Sequence, residues 1–256
     1  MDSLKPFESP KELINGAKEQ LLQLDAACRA FGDNCPYEIV THNDNKAGEK
    51  VVGLRLKNRL PPRIRRLASS ILKEARLALD QSMCDGAIVL GRSDAKNVYF
   101  PFGKSVADLR QSRKDKCKRV DRRLIAYAMR FKPYYGGNRM LWSLARLATY
   151  SHQRIIEVRP QDRMDFPKAV IGGHGPLQLT INKWIDMRNE LEVARLPIGA
   201  SLAVKNDFVL TLNVIFSQSG EAVAGREVVA ALTDLVGIAE SIVLGIEAET
   251  ARLKAG

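Results

Sequence analysis

The chain has 256 residues, 45% of them apolar and 27% charged, a balance that suits a globular fold and argues against wholesale disorder. Lys and Arg number 40 against 29 Asp and Glu, a formal charge of +11 that attracts polyanions such as nucleic acid, or an acidic protein. The first residues show no basic-then-apolar signal pattern, and the longest apolar stretch (228–246) is interrupted by Thr233, Asp234, Gly237, Glu240 and Ser241. Neither a secretory signal nor a membrane span is therefore expected, and a cytoplasmic protein is the default.

Ser9, Pro10 and Glu12 read as a helix start, with serine as cap, proline in the first turn and glutamate completing a capping box. Apolar residues at 13, 14, 17, 21, 24, 28 and 31 then recur at helical spacing, and Gly32, Asp33 and Asn34 end the helix. Segments 37–42 and 50–57 read as strands joined by the polar turn 43–49; Val52, Leu54 and Leu56 alternate with Gly53, Arg55 and Lys57. Pro61 and Pro62 open a helix whose stripe is Ile64, Leu67, Ala68, Ile71, Leu72, Ala75 and Leu79, and Asp85-Gly86 reads as a turn.

The aromatic segment 98–103 precedes a basic stretch, 104–123, with nine Lys/Arg against three Asp. Helices are expected over 120–131, 138–152 and 226–253, and strands over 155–158, 177–182, 187–194 and 208–216. Strands fall early and late, with helices between and after them, which predicts a single α+β domain over 1–256 rather than βαβ units. Its parts are a helical middle (61–152), a strand-rich part (154–217) and a long C-terminal helix, with early and late strands sharing a mainly antiparallel sheet.

The order of several short motifs resembles a group of uncharacterised bacterial and prophage-associated proteins. Gly53-Leu54-Arg55-Leu56-Lys57, the Pro61-Pro62 pair and Arg76-Leu77-Ala78-Leu79-Asp80-Gln81 are similar to that group's strand, proline pair and LRSALDHL-type helix end. Tyr99-Phe100-Pro101-Phe102 resembles its FPIF segment, and 192–200 its ELARLPPGA turn. The chain departs at Gln81, where the group carries histidine, and at Ser151-His152-Gln153-Arg154, which replaces a DKHR-like run. The resemblance implies a fold and a mobile-element or defence setting, and carries no established activity.

Arg146 and His152 weakly resemble the arginine–histidine motif of HEPN-type ribonucleases, where histidine moves a proton and arginine holds the phosphate without a metal. Six helical residues turn the chain by about 600°, so the two side chains converge only if the helix ends between them or a second copy contributes. The alternative is an exposed arginine and a histidine at the negative end of a helix. Arg110, Arg113, Lys114, Lys116, Lys118, Arg119, Arg122 and Arg123 are the candidate nucleic-acid contacts, with the aromatics at 99, 100 and 102 available for stacking. A solvated helix face over a buried aromatic anchor is the plain alternative.

Arg76 and Asp80, at i and i+4, read as an ion pair. Gly172-Gly173-His174-Gly175 lacks the strand and helix of a phosphate loop, and His42 and His174 have no partners at metal-ligand spacing. Cys28, Cys35, Cys84 and Cys117 form no C-x-x-C pair. No metal and no cofactor are expected. Three functional readings stay open: a basic accessory protein contacting nucleic acid or an acidic protein, a HEPN-like ribonuclease, and a structural protein that pairs with a second copy through its C-terminal helix.

Overall fold

The computed structural model describes residues 5–34, 37–94, 96–153, 158–164, 178–185, 188, 190–198, 210–216 and 222–256. The elements in chain order are α1 (Glu8–Asn34), β1 (Tyr37–Asp44), β2 (Glu49–Leu56), α2 (Pro62–Val89), α3 (Val106–Lys116), α4 (Arg122–Met129), α5 (Arg139–Gln153), β3 (Val158–Met164), β4 (Gln178–Ile185), β5 (Glu190–Pro197), β6 (Leu210–Phe216) and α6 (Val228–Ala255). The protein is α+β, with its early and late strands in one antiparallel sheet and a long C-terminal helix.

Where the sequence suggests one domain, the residues group into two compact units that alternate along the chain. Met1–Ala26, Pro62–Val158 and Ile215–Gly256 form a helical unit, and Ala27–Pro61 with Arg159–Val214 form a strand unit.

The helical unit is built on α6. By length and composition α6 is apolar enough to cross a membrane, but its Val228, Leu232, Leu235, Val236, Ala239, Ile242, Val243 and Ile246 are buried, and it packs against α2, α4 and α5. Of the predicted stripe of α2, Ile64, Ala68, Ile71, Leu72, Ala75 and Leu79 are fully enclosed and Leu67 is half-buried. The α1 helix runs antiparallel to α6, with Lys11 bonded to Glu247 (2.8 Å) and Lys18 to Glu240 (2.6 Å), a step of seven residues on both helices.

Two local expectations are corrected. Asp85-Gly86 does not turn the chain; α2 runs through it to Val89. Gly86 is small because α4 and α6 come close there: a Cβ would lie 2.8 Å from Leu124 Cδ2 and 2.9 Å from Thr250 Oγ1. Ser9 lies within α1, which begins at Glu8, and its hydroxyl donates to Gln81 Oε1 (2.7 Å) instead of capping.

In the strand unit the sheet order is β1-β2-β5-β4, with all three neighbouring pairs antiparallel; β3 and β6 form a second, two-stranded sheet. The turn between β1 and β2 is closed by Asp44, whose Oδ1 accepts from Lys46 N (3.2 Å) and Ala47 N (3.3 Å). The β2–β5 register shifts at Val52/Gly53, so one extra β5 residue is inserted. Residues three apart on a regular strand face opposite sides, and the extra residue restores them to one side. Arg195 and Glu192 thereby meet at 2.6 Å.

Candidate nucleic-acid interface

The site begins with a loop fastened to α2. Arg76 and Asp80 lie one turn apart and are linked by Nε donating to Oδ2 and by an Nη2–Oδ1 ion pair, both at 3.2 Å. Each then reaches Phe100: Arg76 Nη2 donates to its carbonyl oxygen (3.4 Å), and Asp80 Oδ1 accepts from its N–H (2.9 Å). The Arg76 guanidinium also lies 3.9 Å from the Phe102 ring centre. Burial pushes the Asp80 carboxyl above its ordinary range, opposed by the charge of Arg76. The expected ion pair is thus a polar anchor for the aromatic segment. Phe100 is wholly buried, Phe102 half-buried and Tyr99 exposed.

Beyond this loop, α3 starts where Ser105 caps it by accepting from Asp108 N (3.1 Å), and its last turn carries Arg113, Lys114 and Lys116. Acid first and base last matches the helix dipole. Only Leu109 is buried. At 100° per residue, Arg110, Arg113 and Lys114 share one side of the exposed arc, and Asp108, Gln111 and Asp115 share another. Asp115 is held by Gln111 (3.1 Å). Lys116 departs from the stripe: it is half-buried, and burial first, then the charge of Arg76, lower its ammonium below the usual range.

The turn into α4 gathers arginines. Arg119 sits at φ 61, a left-handed conformation a side chain adopts only at some cost. Asp121 caps α4 by accepting from Arg123 N (2.7 Å), and its other oxygen pairs with Arg123 Nη2 at 3.1 Å. Those two interactions hold the Asp121 carboxyl below the usual carboxylate range. Arg92 joins from the end of α2, donating to the carbonyl oxygens of Lys118 (2.8 Å) and Lys96 (2.6 Å).

Arg92, Arg119, Arg122 and Arg123 together line an open recess of about 650 Å³ whose one carboxylate is Asp121. Arg119, Arg122 and Arg123, which the sequence singles out, thus converge, and Lys118 is exposed beside them. The buried Cys117 thiol, pushed up to about 11 by burial, feels the charges of Lys116, Arg113 and Arg92, which links the α3 stripe to the recess.

A second cleft, of about 620 Å³, lies between the loop and α5. Phe102, Lys104 and Asp108 line it from one side and Trp142, Arg146 and Tyr150 from the other. The α5 helix runs unbroken from Arg139 to Gln153, so positions 146 and 152 stand about 120° apart around its axis. Arg146 is exposed to the cleft, with its guanidinium 5.7 Å from the Trp142 ring. His174 and the glycine run 172–175 lie outside the described residues. His42 faces Arg188, with Nη1···Nε2 at 3.0 Å. Among the described residues, no three His, Cys, Asp or Glu side chains gather at metal-binding spacing.

Comparison with known protein families, with curated proteins and with solved structures finds no match to this chain. What the chain does has to follow from its own residues.

Three of those residues escape the sequence reading. Arg92 is far in sequence from the basic stretch, and nothing marks it before the fold is known. Trp142 and Tyr150 were legible in principle, because with Arg146 they repeat every four residues on one helix face.

Proposed function

We propose that the helical unit binds the phosphate backbone of nucleic acid, and that the protein is a cytoplasmic accessory protein. The observation that carries this reading is the arginine recess. Arg119, Arg122 and Arg123, with Arg92 behind them, line one concavity whose own carboxylate, Asp121, is taken up by Arg123 and the α4 cap, which favours a positive field at a shape a phosphate can enter. Arg92 is held by the main-chain carbonyls of Lys118 and Lys96 and pairs with Asp94 at 3.5 Å, so the exposed charge of the recess comes mainly from Arg119, Arg122 and Arg123. The Arg110, Arg113 and Lys114 stripe extends the field along α3, which suits a ligand with successive phosphates.

The test is binding of duplex DNA, single-stranded DNA and RNA at low and moderate salt, for the native chain and for the R119Q/R122Q/R123Q variant. These three side chains are solvent-exposed, so the variant should melt close to the native chain, which a thermal scan checks before binding is compared. Each phosphate contact contributes about 0.7–0.9 to the slope of log affinity on log salt. The native chain should bind with a steep slope, and the variant's slope should be shallower by about two. Equal binding by both proteins would refute the reading.

A further inference from the structure

We infer that Tyr99 is a stacking platform for an unpaired base, and that the polyanion held at the arginine recess is single-stranded nucleic acid. This rests on the phosphate reading above and names the class of strand. Tyr99 is 45% exposed, between the buried Val98 and the wholly buried Phe100. A ring of that size usually loses most of its apolar area to the core. Here both neighbours prevent it. Phe100 is fixed on one side by Asp80 and Arg76, and on the other the Val98 carbonyl oxygen accepts from Cys84 Sγ (3.1 Å). With 98 and 100 both committed inward, the side chain between them is left outside.

The ring is also uncommitted. Elsewhere in the helical unit the guanidiniums of Arg76, Arg130, Arg139 and Arg146 lie over Phe102, Tyr127, Tyr135 and Trp142. A cation there occupies the face a base would take. Among the described residues no guanidinium lies over Tyr99 and no second ring packs against it.

Hydrogen bonds fix this residue beside the recess. The loop 92–99 starts at the recess wall, with Arg92 and Ser93, and ends at Tyr99. At its first end Arg92 Nη1 donates to the Lys118 carbonyl oxygen (2.8 Å). At its last end Tyr99 N donates to that of Lys116 (3.0 Å), and Cys117 Sγ donates to the Tyr99 carbonyl oxygen (3.6 Å). Asn97 makes the turn before Tyr99 at φ 59, a conformation asparagine tolerates. From Lys116 to Arg119 the chain can span at most about 11 Å. The main chain of Tyr99 therefore lies against the last turn of α3 and within a short reach of Arg119.

A strand that lays its phosphates on Arg113, Lys114 and Arg119 with its bases free can set one of them on this ring. Stacking of this kind accepts any base, because every base has a π-face. A duplex keeps its bases paired and stacked within itself and offers the ring none. The loop is ordered in advance by its hydrogen bonds, which lowers the cost of forming the stack.

The test compares a thymidylate octamer, a uridylate octamer and a DNA hairpin, each at low and moderate salt, on the native chain and on Y99A, Y99L and Y99F. Y99A and Y99L should bind the octamers about tenfold more weakly, because both lack a π-face. Their salt slopes should match the native chain, since no charge is removed. Y99F keeps the ring and should bind like the native chain, and the hairpin should bind all four proteins alike. A loss confined to the uridylate octamer would make RNA the strand, and one confined to the thymidylate octamer DNA. Native affinity of Y99A and Y99L for both octamers, or an equal loss on octamers and hairpin, would overturn the assignment. Unchanged binding by R119Q/R122Q/R123Q would refute the phosphate reading and the strand assignment with it. A flattened slope in that variant, with native affinity in Y99A and Y99L, would refute the stacking alone.

Discussion

Arg195 and Arg119 are the same side chain in opposite electrostatic settings. In the strand unit, Arg195 is bonded to Glu192 (2.6 Å), Glu49 (3.0 Å) and Asp44 (3.2 Å), and Arg55 to Glu190 (2.5 Å) and Glu38 (3.3 Å). These carboxylates raise both guanidiniums above their ordinary range. Their charge is used up in tying strand to strand. In the helical unit, Arg110, Arg113, Lys114, Arg119 and Arg122 are exposed and make no ion pair among the described residues. The difference teaches that the net +11 says little about function until each cation has been matched to its acid.

The largest expected effect separates the two settings directly. Replacing Arg195 with Gln should lower thermal stability and leave nucleic-acid affinity and its salt slope unchanged. R119Q/R122Q/R123Q should do the reverse, flattening the salt slope by about two with little change in melting temperature. If R195Q weakened binding as much as the recess variant, the contrast would collapse.

Next in size is Asp80→Ala, which strips the acceptor from Phe100 N and the carboxylate partner from the half-buried Arg76. A cost of roughly 1.5–3 kcal/mol is expected from denaturant unfolding, with Asp80→Asn milder. Gly86→Ala should follow at about 1–3 kcal/mol, since the new methyl meets Leu124 and Thr250 in a packed core.

A smaller effect appears in acid. Asp44 is held below its ordinary value of 3.8, chiefly by the Ala47 N–H and then by Arg195. A carboxyl lowered in the folded state stabilises it fully above the unfolded value, and that stability is lost as pH falls through the folded one. Amide exchange in β1 and β2 should therefore accelerate below about pH 4. The smallest effect is chemical. Burial pushes the Cys84 and Cys117 thiols up to about 11, so their alkylation at neutral pH should be slow and rise steeply in alkali.

Much of the fold was legible because burial writes a period into the sequence. Ile64 to Leu79 on α2 recur at the helical spacing the structure buries, whereas on β2 Val51, Val52, Gly53 and Leu54 are buried in succession and the expected alternation shows only at Leu54, Arg55 and Leu56. The changes of pattern near 61, 154 and 217 were legible; which of the resulting parts group together was not, since that depends on which distant segments meet. Asp85-Gly86 misled because a glycine needed for close helix packing looks the same in sequence as one needed for a turn. The basic stretch announced Arg119, Arg122 and Arg123, but not Lys116 turning inward toward Asp80, because side-chain direction is set by the register of α3 against its loop.

The burial of α6 has a consequence for how the protein is made. A chain synthesised from its amino end exposes α2, α4 and α5 before α6 has emerged, so their apolar faces wait for the element that covers them. The Lys11–Glu247 and Lys18–Glu240 pairs join the first helix to the last across the whole intervening chain. The helical unit can therefore close only after the segments of the strand unit have been synthesised, and until then α2, α4 and α5 lack the apolar surface of α6 that covers them.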